Sequence, residues 1–445
     1  MRAALMPWAR HRAAPLAASA VIVAGACVFV PWWNAVIGAR PGWHVPGDLW
    51  GTQMAAWEYI HGHVGAVYSP TTALVTLPGI LVVLTPAVAL SGALHLSVAH
   101  TGVVSFPTGW LLVEIASIGA GLPLLFATDR LARRLEAPVG RRFLLAAFEV
   151  VGLWNVVVWW GHPEDALALA LLLFAVPDAL DRRWARAGWL IGLAIATQPV
   201  VVLAVPVLVA RAPIRRWAGL GVRVVLPAAA LLAAPAAADW HGTWRALVEQ
   251  PNFPTVDHTT PWTSVHFLAP VVGSAQVASG PLRLLAVAIA VVAGAALGRR
   301  LTTCGPILWA MAACFALRIF FEPVMVAYYV WPALAVALVA VAGAGRWRLA
   351  VSGGVAAFAT VFGDAQWRGN WSWWAIEAGC VVAVLCLTVP GSWRNVRHVR
   401  QVRRWGRLGR LGRVFGVGRV FGVGRLFGVG RRGPVADARR AARTP

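Results

Sequence analysis

The sequence predicts an all-α polytopic integral membrane protein, and three observations predict it. Apolar runs long enough to cross a bilayer recur from one end of the chain to the other. Only 13% of the residues are charged and 59% are hydrophobic, where soluble proteins carry about 25% charged residues. Arg collects in the short loops between the runs, as expected where cytoplasmic loops carry the positive charge. The chain divides into a transmembrane domain, 1–392, and a basic Arg/Gly-rich cytoplasmic tail, 393–445.

Taken in order, the first span is 14–33, with Arg2, Arg10 and Arg12 inside. Its apolar run continues past Cys27 to Val30, so it reads as an uncleaved helix rather than a signal peptide. An Arg-poor stretch, Pro41–Pro70, follows outside. The segment 73–92 is apolar but broken by Pro78 and Pro86. If it crossed the membrane, the next span, 110–127, would deliver Arg130, Arg133, Arg134, Arg141 and Arg142 to the outer face. It is therefore predicted to be re-entrant or interfacial, a backbone tolerated only inside protein or against a cavity.

Span 143–160 runs outward and 166–180 returns, which makes the intervening Gly161-His162-Pro163-Glu164-Asp165 an external corner. The segment 188–210 is broken at Gln198-Pro199 and reads as a hairpin that enters and leaves on the cytoplasmic side, because Arg211, Arg215, Arg216 and Arg223 follow it. Spans at 221–238, 283–298, 304–320, 324–344, 349–363 and 374–390 complete the set. The total is about ten spans plus two broken segments, with both termini inside.

The net charge of +22 comes from Arg alone, since the chain has no Lys. With abundant Ala, Val and Gly this composition is that of a GC-rich bacterial genome. Its distribution in loops and tail excludes nucleic acid as a partner and places the protein in a plasma membrane. Five Cys lie in or beside apolar runs without Cys-x-x-Cys or Cys/His spacing, so neither a zinc site nor a disulfide framework is indicated. The tail sets an apolar residue at every third position, then repeats Arg-Val-Phe-Gly-Val-Gly. It reads as a segment lying on anionic lipid, or as disordered low-complexity chain.

Polar and titratable residues crowd the outer face. The first external loop carries Asp48, then a helical pattern through Trp57 and Tyr59, then Gly62, Tyr68 and Pro70. In the corner before 166–180, Pro163 suits the first helical position, and Glu164 and Asp165 suit the first turn, so the group has the makings of a plain helix cap. Yet three titratable groups facing outward at a membrane mouth also point to a site. His162, Glu164 and Asp165 are of metal-ligand type. No Asp-x-Asp accompanies them, so the sequence assigns no metal and no cofactor; a divalent ion is compatible but not indicated. Arg318 and Glu322 are four apart near the outer end of a span and either pair with each other or leave Arg318 free to hold phosphate. Tyr328 is a cavity candidate, and the long loop Asp239–Phe267 offers His258, Trp262 and His266, Trp262 as a sugar-stacking ring.

The first external loop resembles that of the GT-C glycosyltransferases, in particular the polyprenyl-phosphate-mannose-dependent α-mannosyltransferases. The resemblance rests on Asp48, Gly62, Tyr68 and Pro70 in order, over about 25 residues, together with the pattern of spans and large external loops. It implies a GT-C-like bundle that transfers a sugar, mannose by resemblance, from a polyprenyl-phosphate donor to a glycolipid or glycan acceptor of the cell envelope on the outer face. Asp48 is then the base for the acceptor hydroxyl, its pKa expected to be raised by burial. Glu164 and Asp165 are further catalytic carboxylates. Arg318 holds the lipid phosphate, and His162, Glu322, Tyr68, Tyr328, His258, Trp262 and His266 contact substrate.

Two other classes compete. A transporter or lipid flippase uses broken helices as moving parts, but needs polar residues deep in the spans, and Glu114, Glu149 and Gln198 are the main ones here. A non-catalytic envelope-assembly protein is the third.

Overall fold

The computed structural model describes residues 11–29, 47–72, 74–96, 110–254, 257–277, 280–364 and 371–391. The chain divides into two units, Met1–Pro390 and Gly391–Pro445. The predicted lipid-binding tail lies outside the described residues.

The described chain is built from helices α1 (Ala13–Ala24), α2 (Gly47–Ile60), α3 (Gly79–Ala93), α4 (Trp110–Gly121), α5 (Pro123–Arg134), α6 (Val139–Leu153), α7 (Pro163–Leu180), α8 (Trp184–Thr197), α9 (Trp217–Ala238), α10 (Pro281–Arg300), α11 (Cys304–Phe321), α12 (Trp331–Val341), α13 (Arg346–Gly363) and α14 (Ser372–Thr388), with shorter turns between them. Five helical stretches among the described residues are long and apolar enough to cross a membrane: Leu112–Arg134, Val139–Trp159, Ile214–Ala238, Pro281–Arg300 and Cys304–Phe321. Four shorter apolar helices accompany them, including Gly79–Ala93 and Ser372–Thr388. The class is thus an all-α membrane protein.

Burial differs sharply between these helices. Only 17% of the apolar window of α9 and 28% of that of α10 are buried inside the protein, against 67% for α11. Val222, Val225, Leu284 and Val292 are exposed on the first two. Such surfaces suit hydrocarbon rather than water. By contrast α12 is buried along its whole length.

The two segments read as broken are interrupted at Pro78 and at Gln198-Pro199, but not at Pro86, which the helix Gly79–Ala93 carries in its interior. Helix α3 starts only at Gly79, after Pro78, and its 15 residues span about 22 Å, short of a bilayer core. Helix α8 stops at Thr197; Gln198 turns extended (φ −148°, ψ 115°) and a 3₁₀ turn, Pro199–Leu203, follows. The two breaks meet. Thr76 Oγ1 donates to the Thr197 carbonyl at 2.9 Å, and a Cβ on Gly79 would lie 2.4 Å from the Ala196 carbonyl oxygen. Backbone polar groups freed by one break are thereby satisfied by the other. Gly79→Ala is expected to cost about 1–3 kcal/mol, because backbone cannot retreat as a side chain can; thermal unfolding in detergent measures it.

The segment read as one span, 324–344, departs from expectation. Val324–Met325 forms an edge strand, Ala327–Val330 a 3₁₀ turn, and the helix begins only at Trp331. The cause is the long connection between α9 and α10. Its strands are β1 (Pro251–Asn252), β2 (His258–Thr259), β3 (Val271–Val272) and β4 (Ala275–Val277), and β2 pairs antiparallel with β5 (Val324–Met325). A second sheet has the order β1-β4-β3. Thr263 Oγ1 donates to the Pro323 carbonyl at 2.6 Å, and Trp262 Nε1 donates to the Phe320 carbonyl at 2.7 Å. These bonds fasten the connection to the C-terminal end of α11.

Candidate active site

A cavity of about 1060 Å³ opens under this loop. Cavities of about 300–1,000 Å³ hold drug-sized ligands, and this one reaches the top of that range. Its wall is drawn from the start of α2, both broken segments, the α9–α10 connection, the start of α10 and the end of α11.

One pole is acidic and is organised by His162. The chain leaves α6 through a π-helical turn, Trp154–Trp159, and reverses at Gly161, whose φ of +78° favours glycine. His162 stands at the N-cap of α7 but makes no side-chain cap bond, and Pro163 opens the helix. Its ring is turned into a bridge instead: Nε2 lies 2.8 Å from Asp48 Oδ2, and Nδ1 lies 2.6 Å from Glu164 Oε1. The residues of the corner were expected to face outward. They are buried, with His162, Glu164 and Asp165 at 7%, 3% and 5% exposure. The acids occupy the first turn of α7, as a cap would have them, yet their carboxylates converge on the imidazole.

Electrostatics follow from the bridge. Burial works against a charged His162, but the Glu164 charge and hydrogen bonds to Asp48 and Glu164 outweigh it and hold the imidazole well above its ordinary pKa. The ring therefore donates at both nitrogens. Burial pushes the Asp48 carboxyl up, but the hydrogen bond and charge of His162 win, and its pKa is lowered. The expectation of a raised Asp48 is thus corrected: its ion-pair partner outweighs desolvation. Asp48 remains half exposed, with 48% of its side-chain surface accessible, so Oδ1 is open to a ligand while Oδ2 is held.

The other pole is basic. Glu322 Oε1 accepts from Arg283 Nη2 at 2.8 Å and from Arg318 Nε at 3.2 Å. The pairing of Arg318 with Glu322 holds even though α11 ends at Phe321 and Glu322 is extended. The Arg318 guanidinium lies 3.3 Å from the Tyr329 ring centre. Arg283 also donates Nη1 to Gln250 Oε1 at 2.8 Å; Gln250 is held in the left-handed region (φ 40°). Tyr328 joins the poles, its ring centre 4.1 Å from that of His162 and 5.7 Å from that of Trp160.

Of the residues singled out in the sequence, Asp48, His162, Glu164, Arg318, Glu322, Tyr68 and Tyr328 line the cavity. Asp165 stands behind this wall, in contact with the His162–Glu164 group. Tyr68 is only 2% exposed and donates its hydroxyl to the Thr76 carbonyl at 2.9 Å; it shapes the floor more than it meets a ligand. Three candidates are not brought to the cavity. His258 stacks flat on Trp373 with centres 3.7 Å apart. Trp262 spends its indole on the loop anchor, and His266 is exposed elsewhere on the loop. Trp262→Phe should therefore lower stability by about 1 kcal/mol, the worth of one hydrogen bond, and leave ligand affinity unchanged; a thermal melt beside a binding titration checks both.

Arg283 was missed by sequence reasoning. The available signal was an Arg at the outer end of a span, where positive residues are disfavoured. Trp160 and Gln198 also line the cavity. Trp160 is positioned by Asp364, whose Oδ1 accepts its indole N–H at 2.9 Å while Oδ2 accepts from Asn155 at 2.6 Å. Burial raises the Asp364 pKa, partly offset by these two bonds.

Comparison with protein-family models gives no match, and comparison with curated proteins gives none either.

Proposed function

We propose that this protein is a membrane glycosyltransferase that transfers a sugar, mannose by resemblance, from a polyprenyl-phosphate donor to a glycolipid or glycan of the cell envelope at the outer face of a bacterial plasma membrane. The observation that carries the reading is one cavity with two poles. A half-exposed carboxylate, Asp48, stands at one, and two guanidiniums, Arg283 and Arg318, stand at the other. The GT-C resemblance of the first external loop supplies the reaction class.

Asp48 Oδ1 takes the proton of the acceptor hydroxyl as its oxygen attacks the anomeric carbon. His162 fixes the carboxylate through Oδ2 and shields its charge. The bond from the anomeric carbon to the phosphate oxygen breaks, and the electron pair leaves on the lipid phosphate. Arg318 and Arg283 face that developing charge, each already oriented by Glu322. A guanidinium presents paired donors that suit phosphate oxygens. The poorly buried faces of α9 and α10 are the ones that meet lipid.

A flippase reading draws support from the meeting of the two broken segments. Against it, the deep carboxylates Glu114 and Glu149 lie outside the cavity wall. The two are separated in proteoliposomes carrying a fluorescent polyprenyl-phosphate sugar. Glycosyl transfer consumes the donor and releases polyprenyl phosphate; flipping redistributes intact donor between leaflets. Donor redistribution without loss of its sugar would overturn the proposal. Arg283→Gln and Arg318→Gln are each expected to raise the donor KM about ten- to hundredfold, as loss of a charge-assisted hydrogen bond does, with a smaller change in kcat.

A further inference from the structure

We propose that His162, Glu164 and Asp165 form a binding site for one divalent first-row transition-metal ion, with Asp48 as the group that orients the ligating histidine. The inference goes beyond glycosyl transfer and requires neither donor nor acceptor.

Four observations carry it. One ligand atom from each of the three residues lies within 4.8 Å of the others. An ion with bonds of about 2.1 Å sets its ligand atoms about 3–4 Å apart, so small side-chain rotations close the set. Glu164 Oε2 and Asp165 Oδ1 are buried without a hydrogen-bond partner. Both residues are more than nine-tenths buried, where an unpartnered carboxylate oxygen is costly. Charge is also unbalanced. Three carboxylates, Asp48, Glu164 and Asp165, surround one imidazole; apart from that ring, Asp165 is offset only by a hydrogen bond from Gln198 and by the charge of Arg318, which is itself bonded to Glu322.

The fourth observation is the Asp48 contact. Histidines that ligate metals usually donate their other ring N–H to a carboxylate, which fixes the tautomer. Asp48 Oδ2, 2.8 Å from Nε2, stands in that relation to a metal on Nδ1. The Nδ1 proton leaves to solvent as the ion arrives, and Glu164 moves from hydrogen-bond acceptor to ligand. One imidazole with two carboxylates favours ions such as Mn²⁺ or Zn²⁺ over Ca²⁺. His162 and Glu164 line the cavity, so remaining coordination positions open toward a water or a substrate hydroxyl.

The test uses the full-length protein, purified in detergent and stripped with chelator, with Mn²⁺ as the probe. Equilibrium dialysis with elemental analysis should find one Mn²⁺ per chain at micromolar concentration. Glu164→Gln and Asp165→Asn should each weaken binding at least a hundredfold, Asp48→Asn by about 10–100-fold, and Glu58→Gln, on the exposed side of α2, not at all. Pulsed electron paramagnetic resonance of bound Mn²⁺ should detect a directly coordinated histidine nitrogen, which keeps the test decisive if a variant misfolds. Absence of retained Mn²⁺ in the wild type, equal retention by folded Glu164→Gln and Asp165→Asn, or a spectrum without nitrogen coupling would each overturn the site. None of these readouts involves sugar transfer, so the outcome is independent of the proposed reaction.

Discussion

On the proposed function, Asp48→Asn is expected to lower the rate of sugar transfer by about 10²–10⁴-fold, the usual contribution of a positioned general base. The effect falls on kcat. Asp48 stands at the pole opposite Arg283 and Arg318, so the donor KM changes little. The substitution is close to isosteric, and its amide oxygen still accepts the Nε2–H of His162 from the place of Oδ2. The fold therefore survives, and a melting temperature within a few degrees of wild type separates lost chemistry from lost structure. Asp48→Glu keeps the carboxylate but extends it by one methylene into the His162 contact, and should recover only part of the rate. Initial rates at saturating donor and acceptor measure both. A variant with full kcat and a raised KM would move Asp48 from base to binding residue.

Glu322→Gln produces the second large effect, this time on stability. Glu322 is 4% exposed and its Oε1 serves both Arg283 and Arg318. Neutralising it removes the carboxylate that both guanidiniums share and leaves Arg318 only the charge of Asp165. Removing one partner of a buried ion pair costs about 3–5 kcal/mol; Arg283 is partly accessible, which favours the lower end. The same loss should make the pole a better receptor for anions. Polyprenyl phosphate is therefore expected to raise the melting temperature of Glu322→Gln more than that of wild type, because at equal concentration a tighter-bound ligand stabilises more, with the logarithm of its affinity. Thermal shift with and without the lipid phosphate checks it. Equal shifts would mean that Arg283 and Arg318 do not hold phosphate.

The class of fold was legible because composition and apolar run length report the solvent directly. The breaks at 73–92 and 188–210 were legible for a different reason. Pro78 and Gln198-Pro199 interrupt the apolar pattern where the helices do stop, whereas Pro86, read as a second break, is carried inside its helix. What the sequence could not convey is that the two breaks lock together through Thr76 and Gly79, since no local pattern encodes a contact between segments over a hundred residues apart. The late start of α12 was hidden for a similar reason: Val324 and Met325 are as apolar as the helix that follows, and only their pairing with His258 and Thr259 makes them strand.

Within the site, residue type pointed to residues that line the cavity more often than to their partners. Asp48 and the His162–Asp165 corner were both singled out, yet they are 114 residues apart and nothing in either stretch announces the other. Their meeting also reversed the expected shift of the Asp48 pKa. Trp262 was chosen for an aromatic face that could stack on sugar; its indole N–H decided its place instead, on the Phe320 carbonyl.

The most direct measurement is transfer of labelled sugar from synthetic polyprenyl-phosphate mannose, and from its glucosyl and arabinosyl counterparts, in membranes containing the overproduced protein. The account predicts that wild type moves label from one of these donors to an envelope acceptor above control membranes, and that Asp48→Asn, present at equal level, does not. Wild-type membranes that leave all three donors intact would contradict it.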